Sequence, residues 1–225
     1  MKQLVRERRK LAKSIVNRSL VTYLSPHSGF AEQFRTIRNN IQFASEGEVI
    51  RSIMVTSPLE GEGKSTAAIN LAISMAQRGE HVLLIDANLR NPLLHQIFGT
   101  GASPGLSNVL AKQLEFEEAI QVTEIDGLEL LSSGQRQFNS TELLNSSAMS
   151  ELMDYAKEHY SRVIIDCPSV LGISDTSALV RQCDGVVLLL QCGKSTHKNA
   201  LEAKQALSFA GANFMGVILN RKSVR

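Results

Sequence analysis

A chain of 225 residues, 43% of them hydrophobic and with a formal charge of +2, has the material for one sizeable core and little for a second. The near balance of charge excludes a disordered acidic chain and a protein that coats nucleic acid, and no run is long enough to span a bilayer. Cys167, Cys183 and Cys192 lie in or beside apolar runs without metal-ligand spacing, so buried thiols in a reducing compartment are expected.

The first twenty residues hold Lys2, Arg6, Arg8, Arg9, Lys10, Lys13 and Arg18 against Glu7 alone. Residues 1–28 therefore read as a solvated basic arm, whose functional use would be attraction to an anionic membrane surface or an acidic partner. No apolar signal-peptide core follows this basic start, so a cytosolic location is expected. "EQFRTIRNNIQF" (32–43) reads as an amphipathic helix. "SIMVTS" (52–57) is a buried strand, and "KSTAAINLAISMAQRG" (64–79) a helix stopped by Gly79. Strands are expected at 81–86, 128–134, 162–168, 185–192 and 214–220, with helices over 140–160, 174–182 and 195–210. In the helix over 140–160, Ser140 or Thr141 would be the N-cap. Near-continuous apolar strands separated by helices give an α/β domain over 29–225, a mostly parallel sheet sandwiched between helices.

Lys64, Asp86, Asp166 and Asn220 each fall just after an apolar strand, so right-handed crossovers carry them to one sheet edge. "SPLEGEGKST" (57–66) supplies the chemistry of a phosphate-binding P-loop, although Pro58 stands where the common G-x-x-x-x-G-K-[ST] pattern has glycine. Backbone N–H groups over Gly61, Glu62, Gly63 and Thr66 would cradle phosphate at a helix N-terminus. Lys64 would then meet the outer phosphates of ATP, and Ser65 its Mg2+. Asp166, closing "VIID", is placed as a Walker B carboxylate for the metal, and Asp86, closing "VLLID", stands on a neighbouring element. His81, His95, His159 and His197 show no ligand spacing.

"LLIDANLRNP" (83–92), taken with "EGEGKST" and "VIIDCPS", resembles the bacterial tyrosine kinases of capsule and exopolysaccharide operons, from about Ala31 to Asn220. Glu32, Arg35 and Arg38 match that family's E-x-x-R-x-x-R helix, which implies ring-like self-association. The resemblance also implies a tyrosine-bearing protein substrate and a membrane polysaccharide co-polymerase as activator. It implies catalytic roles for Lys64, Asp86 and Asp166, metal ligation by Ser65, Asp86 and Asp166, and Asn220 beside adenine. Arg90 would contact phosphate, the acceptor's surroundings or a surface carboxylate. The neighbouring ParA/MinD-type ATPases carry an extra loop lysine where this chain has Leu59, which favours the kinase branch.

Four departures qualify the resemblance. Asn88 replaces the second carboxylate of the family's D-x-D; an amide can coordinate a cation but cannot accept a proton. Glu60 adds a negative charge to the loop, "CPS" replaces "TPP" after Asp166, and "ILNRKSVR" carries no tyrosine cluster. The tyrosines are Tyr23, Tyr155 and Tyr160, the last two expected in a helix. The alternatives to a kinase are a nucleotide-binding regulatory pseudokinase subunit and a ParA/MinD-like ATPase.

Overall fold

The structure, a computed structural model, describes residues 16, 19–44, 47, 49–137, 139–172 and 174–221. The basic residues at 2–13 and Arg18 lie outside these residues. In chain order the elements begin with α1 (Val21–Leu24), α2 (Gly29–Ala44), β1 (Ser52–Thr56), α3 (Lys64–Ala76), β2 (Val82–Asp86), α4 (Leu94–Phe98), α5 (Leu106–Leu110) and α6 (Phe116–Ala119). They continue with β3 (Ile120–Val122), β4 (Leu128–Leu131), α7 (Ser140–Leu144), α8 (Ser147–His159) and β5 (Arg162–Asp166). α9 (Asp175–Val180), β6 (Gly185–Gln191), α10 (His197–Phe209) and β7 (Phe214–Asn220) complete the chain.

Seven strands form one sheet in the order β3-β4-β2-β5-β1-β6-β7, parallel except for the antiparallel β3. Successive side chains of a strand point to opposite faces, so the all-apolar strands feed two cores at once. Ile53, Val55, Leu84 and Ile164 pack against Ile69 and Ile73 of α3, while Met54, Ile85 and Ile165 pack against Met149 and Met153 of α8. The expected α/β architecture is therefore present. Among the described residues no helix is long and apolar enough to cross a membrane.

The order of the strands sets the site. β1 lies between β5 and β6, and β2 lies on the far side of β5. The parallel register pairs Asp86 with Asp166 and Val55 with Asp166, so both aspartates end at the level where the loop after β1 begins.

The N-terminal part of the domain is anchored to the flank of α3. The buried Asn70 amide accepts from Thr22 N at 2.8 Å and donates to Ser19 O at 2.6 Å, and Gln77 Nε2 donates to Thr22 O at 3.1 Å. Residues 19–28, read from sequence as part of the arm, thus include a helix laid on α3. Arg35 pairs with Glu32 at 2.6 Å, whereas Arg38 turns inward and donates to Ser74 O at 2.5 Å.

Four sequence expectations need correction. The helix over 140–160 is two helices, because Ser146 breaks in as a new N-cap and its hydroxyl accepts from Met149 N. Neither Ser140 nor Thr141 caps α7: the N-cap is Asn139, and both hydroxyls donate to Asp175 instead. The strand at 128–134 stops at Leu131; the carbonyls of Ser132 and Ser133 accept from Leu106 N and Ser107 N at the start of α5. Of the three thiols only Cys167 is buried, Cys183 is partly covered, and Cys192 is exposed just past the end of β6.

Candidate functional site

The loop between β1 and α3 is held in shape mostly by side chains from elsewhere. Glu62 is fully buried and turned away from the phosphate face. Its carboxylate accepts from Leu59 N at 2.8 Å and from the Ser195 hydroxyl, and its carbonyl accepts from Asn220 Nδ2 at 2.8 Å. Lys194 reaches over from the segment after β6 to donate to Glu60 O at 2.5 Å. Gly63 adopts φ +101°, and a Cβ there would lie 2.5 Å from Asn220 Nδ2. Glycine is therefore required at 63 both for the left-handed backbone and for the close approach of Asn220.

Residues 60, 61, 63, 64, 65 and 66 line a cavity of about 640 Å³ over the N-terminus of α3. Its opposite wall is made by Asn88, Arg90 and Asn91 from the loop after β2, by His95 and Gln96 of α4, and by Arg136. Glu62 and Asn220, both expected at the ligand, are not part of this lining. Asn220 braces the loop from outside, and its amide is committed to Glu62.

Under the floor of the cavity sit the two aspartates, both fully buried. Neither oxygen of Asp166 has a hydrogen-bond partner, although Lys64 and Ser65 lie close enough to pull its pKa back part of the way. Burial dominates, and the Asp166 carboxyl is raised above the ordinary range. Asp86 is better satisfied: Oδ2 accepts from Leu93 N and Leu94 N, each at 3.0 Å, and Oδ1 from Asn88 N at 3.2 Å. Burial and then the neighbouring Asp166 charge still push it to about 7. Two buried carboxylates at the same register position, one wholly unpartnered, are costly without a cation between them and the ligand. Ser65 and Asp166 are a fitting oxygen donor set for Mg2+, which favours oxygen ligands and retains waters and phosphate oxygens for its remaining positions.

The wall facing the loop is fixed by Asp175 at the start of α9. Its buried carboxylate receives Arg90 through Nε at 2.9 Å and Nη2 at 3.1 Å, together with the hydroxyls of Ser140, at 2.7 Å, and Thr141. Burial works against the Asp175 charge, but the bonds from Arg90, Thr141 and Ser140 outweigh it and hold its carboxyl below the ordinary range. Of the contacts weighed for Arg90, the structure thus shows the ion pair, and with a buried partner. Sequence reading gave no role to Asp175, Lys194 or Ser195: an Asp at the start of a helix and a Gly-Lys-Ser turn are common as caps and turns. Glu60, the added loop charge, is exposed at the rim, where Asn91 Nδ2 lies 3.5 Å from its Oε1.

Fold and site together define a P-loop nucleotide-binding domain: a mostly parallel α/β sheet with a glycine loop after β1 and an aspartate at the end of β2 and of β5. A family profile described as an AAA domain matches residues 50–205. The tyrosine-protein kinase YwqD of Bacillus subtilis is 41% identical over 216 residues, which are 96% of this chain and 91% of that protein. The crystal structure of the chimerical protein CapA2B2 superposes with a TM-score of 0.88 at 36% identity, covering 92% of this chain and 91% of that one. The septum site-determining protein MinD of Pyrococcus horikoshii, complexed with Mg-ADP, is more distant, with a TM-score of 0.66 at 26% identity over 77% of this chain and 71% of its own. The chain belongs to the family of bacterial tyrosine-protein kinases.

Proposed function

We propose that this protein transfers the γ-phosphoryl group of ATP to a tyrosine hydroxyl of a protein substrate. The observation that carries the reading is the orphaned, fully buried carboxylate of Asp166 set against Lys64 and Ser65 of the loop. A metal-bound triphosphate satisfies all three groups, and the family membership supplies the acceptor.

Lys64 and the N–H groups over Gly61 to Thr66 would hold the β- and γ-phosphates. Ser65 and Asp166 would hold Mg2+, with Asp86 behind them. When bound, the metal neutralises charge on the transferring phosphoryl group. As the tyrosine oxygen–phosphorus bond forms, the bond from the γ-phosphorus to the bridging oxygen breaks and ADP leaves. The hydroxyl proton needs an acceptor, which Asn88 cannot be. Asp86, beneath the cavity floor beside Asp166, is the remaining carboxylate near that wall, and in this reading it takes the proton in its ionised form.

In this reading the protein serves capsule or exopolysaccharide synthesis at the inner face of the membrane, as an oligomer activated by a membrane co-polymerase. The exposed face of α2 and the N-terminal segment docked on α3 are the supporting surfaces. One observation favours a second reading, a regulatory nucleotide-binding subunit: Asn88 leaves the site a carboxylate short.

Purified protein incubated with labelled ATP, Mg2+ and a tyrosine-bearing partner tests both. Phosphotyrosine is expected with the wild type, none with Lys64→Met, and a faster reaction with Asn88→Asp. Nucleotide binding without phosphotyrosine in any partner, the activator included, replaces the kinase reading with the regulatory one.

A further inference from the structure

Charge in the cavity is unevenly committed. Lys64 faces the loop, where the phosphates of a nucleotide would use it. Arg90 is neutralised by Asp175 through two hydrogen bonds, so it forms a fixed wall and not a free charge. His95 is partly buried, its Nδ1 has no partner, and burial lowers its pKa, so it adds no charge at neutral pH. Arg136 differs from these. It lines the same cavity and is exposed, and its Nη2 is held only by the side-chain amide of Asn91, at 3.2 Å. The one carboxylate in the lining, Glu60, stands on the loop side with Asn91 between it and Arg136, and among the described residues no carboxylate pairs with the guanidinium.

The position of Arg136 matters as much as its charge. It is on the wall of Asn88, Arg90 and Asn91, across the cavity from the loop, whereas Lys194 and Asn220 brace the loop from the β6–β7 side. That wall is the side of the cavity the bracing residues leave open to a substrate approaching the outer phosphate. A tyrosine side chain inserted toward Lys64 leaves its peptide backbone at the rim, and residues next to the tyrosine pass Arg136. An uncompensated guanidinium there offers a forked pair of donors, the geometry that carboxylates match.

We infer that the wall formed by Arg90, Asn91 and Arg136 is an acceptor-peptide subsite, in which Arg136 selects a tyrosine flanked by an acidic residue. The inference rests on the kinase reading and names the substrate class for it. Asp175 acts as a positioning residue: by holding Arg90, Ser140 and Thr141 together it keeps the wall in place and leaves Arg136 as the free charge. Asn91 joins the two halves of the rim, accepting from Arg136 and reaching toward Glu60.

The test uses the full chain and two fluorescent peptides, each with a single tyrosine, one with Glu and one with Lys on both sides. Binding is read by anisotropy in the presence of Mg2+ and a non-hydrolysable ATP analogue, so it needs no turnover. The Glu peptide is expected to bind the wild type roughly fivefold more tightly than the Lys peptide, the scale of an exposed ion pair. Arg136→Glu should reverse that order, and Arg136→Ala should abolish it, with the affinity for the analogue unchanged in both. Equal binding of the two peptides by wild type, or a preference that survives Arg136→Glu, overturns the subsite. So does a loss of analogue affinity in the Arg136 variants, which would assign the guanidinium to the nucleotide. Turnover of the same peptides is scored separately with the activator present: peptide preference without phosphotyrosine in peptide or activator leaves a peptide-binding wall standing and removes the kinase reading.

Discussion

If Asp86 is held near 7 by burial and by Asp166, binding of Mg2+ and nucleotide must expel a proton. A carboxyl at about 7 is roughly nine-tenths protonated at pH 6 and one-tenth at pH 8. A cation placed against the pair returns it to the ionised form. Titration calorimetry at pH 6, repeated in buffers of different ionisation enthalpy with the preformed magnesium–nucleotide complex as titrant, should therefore show roughly 0.9 proton more released by the wild type than by a variant without the Asp86 carboxyl, a difference falling to roughly 0.1 at pH 8. The same linkage makes binding about tenfold weaker at pH 6 than at pH 8, about 1.4 kcal/mol. Asp86→Asn gives the baseline, because the amide keeps an acceptor for Leu93 N and Leu94 N but has no proton to lose. Without ligand the sign is opposite. The folded carboxyl binds its proton more tightly than the unfolded one at 3.8, so stability falls as pH rises from about 4 to about 7 and is level above that. Heats that do not depend on the buffer at pH 6, or equal proton release from Asp86→Asn, refute the assignment of the shifted carboxyl.

Two further variants probe the scaffold. Asn220→Ala removes the bond to Glu62 O that braces the loop from outside, so the Kd for ATP should rise roughly three- to tenfold by calorimetry, with little change in Tm. Asp184→Ala strands the N–H groups of Arg51 and Ser52, each bonded to Asp184 Oδ2 at 2.9 Å where β1 begins, and should cost about 2–3 kcal/mol in a denaturant melt while leaving nucleotide affinity intact.

The central strands could be read from sequence because each is buried on both faces and therefore apolar throughout, and the polar residue that ends the β2 and β5 runs marks the edge of the candidate site. β3 could not: two half-buried residues and an exposed one carry no period, and their place on β4 depends on antiparallel partners outside the strand itself. The break between α7 and α8 was hidden for a different reason. Ser146 and Ser147 sit in a stretch whose apolar spacing continues across the gap, and only the hydroxyl geometry distinguishes a cap from a surface serine. Lys64, Ser65, Asp86 and Asp166 were legible because a local motif or a strand end defines each. Glu62, Arg90 and Asn220 were found as residues, but their contacts depend on side chains 85 to 158 positions away, which no local pattern encodes.

The loop after β1 owes its shape to a clasp drawn from the last two strands and the turn between β6 and α10. An anion arriving there meets donors already aligned, so the entropy of ordering them is spent when the chain folds and not when the ligand binds. That arrangement also makes the outermost strand a fuse. Should β7 fray from the sheet border, Asn220 leaves with it and the cradle loses its outer brace, while the central strands remain intact.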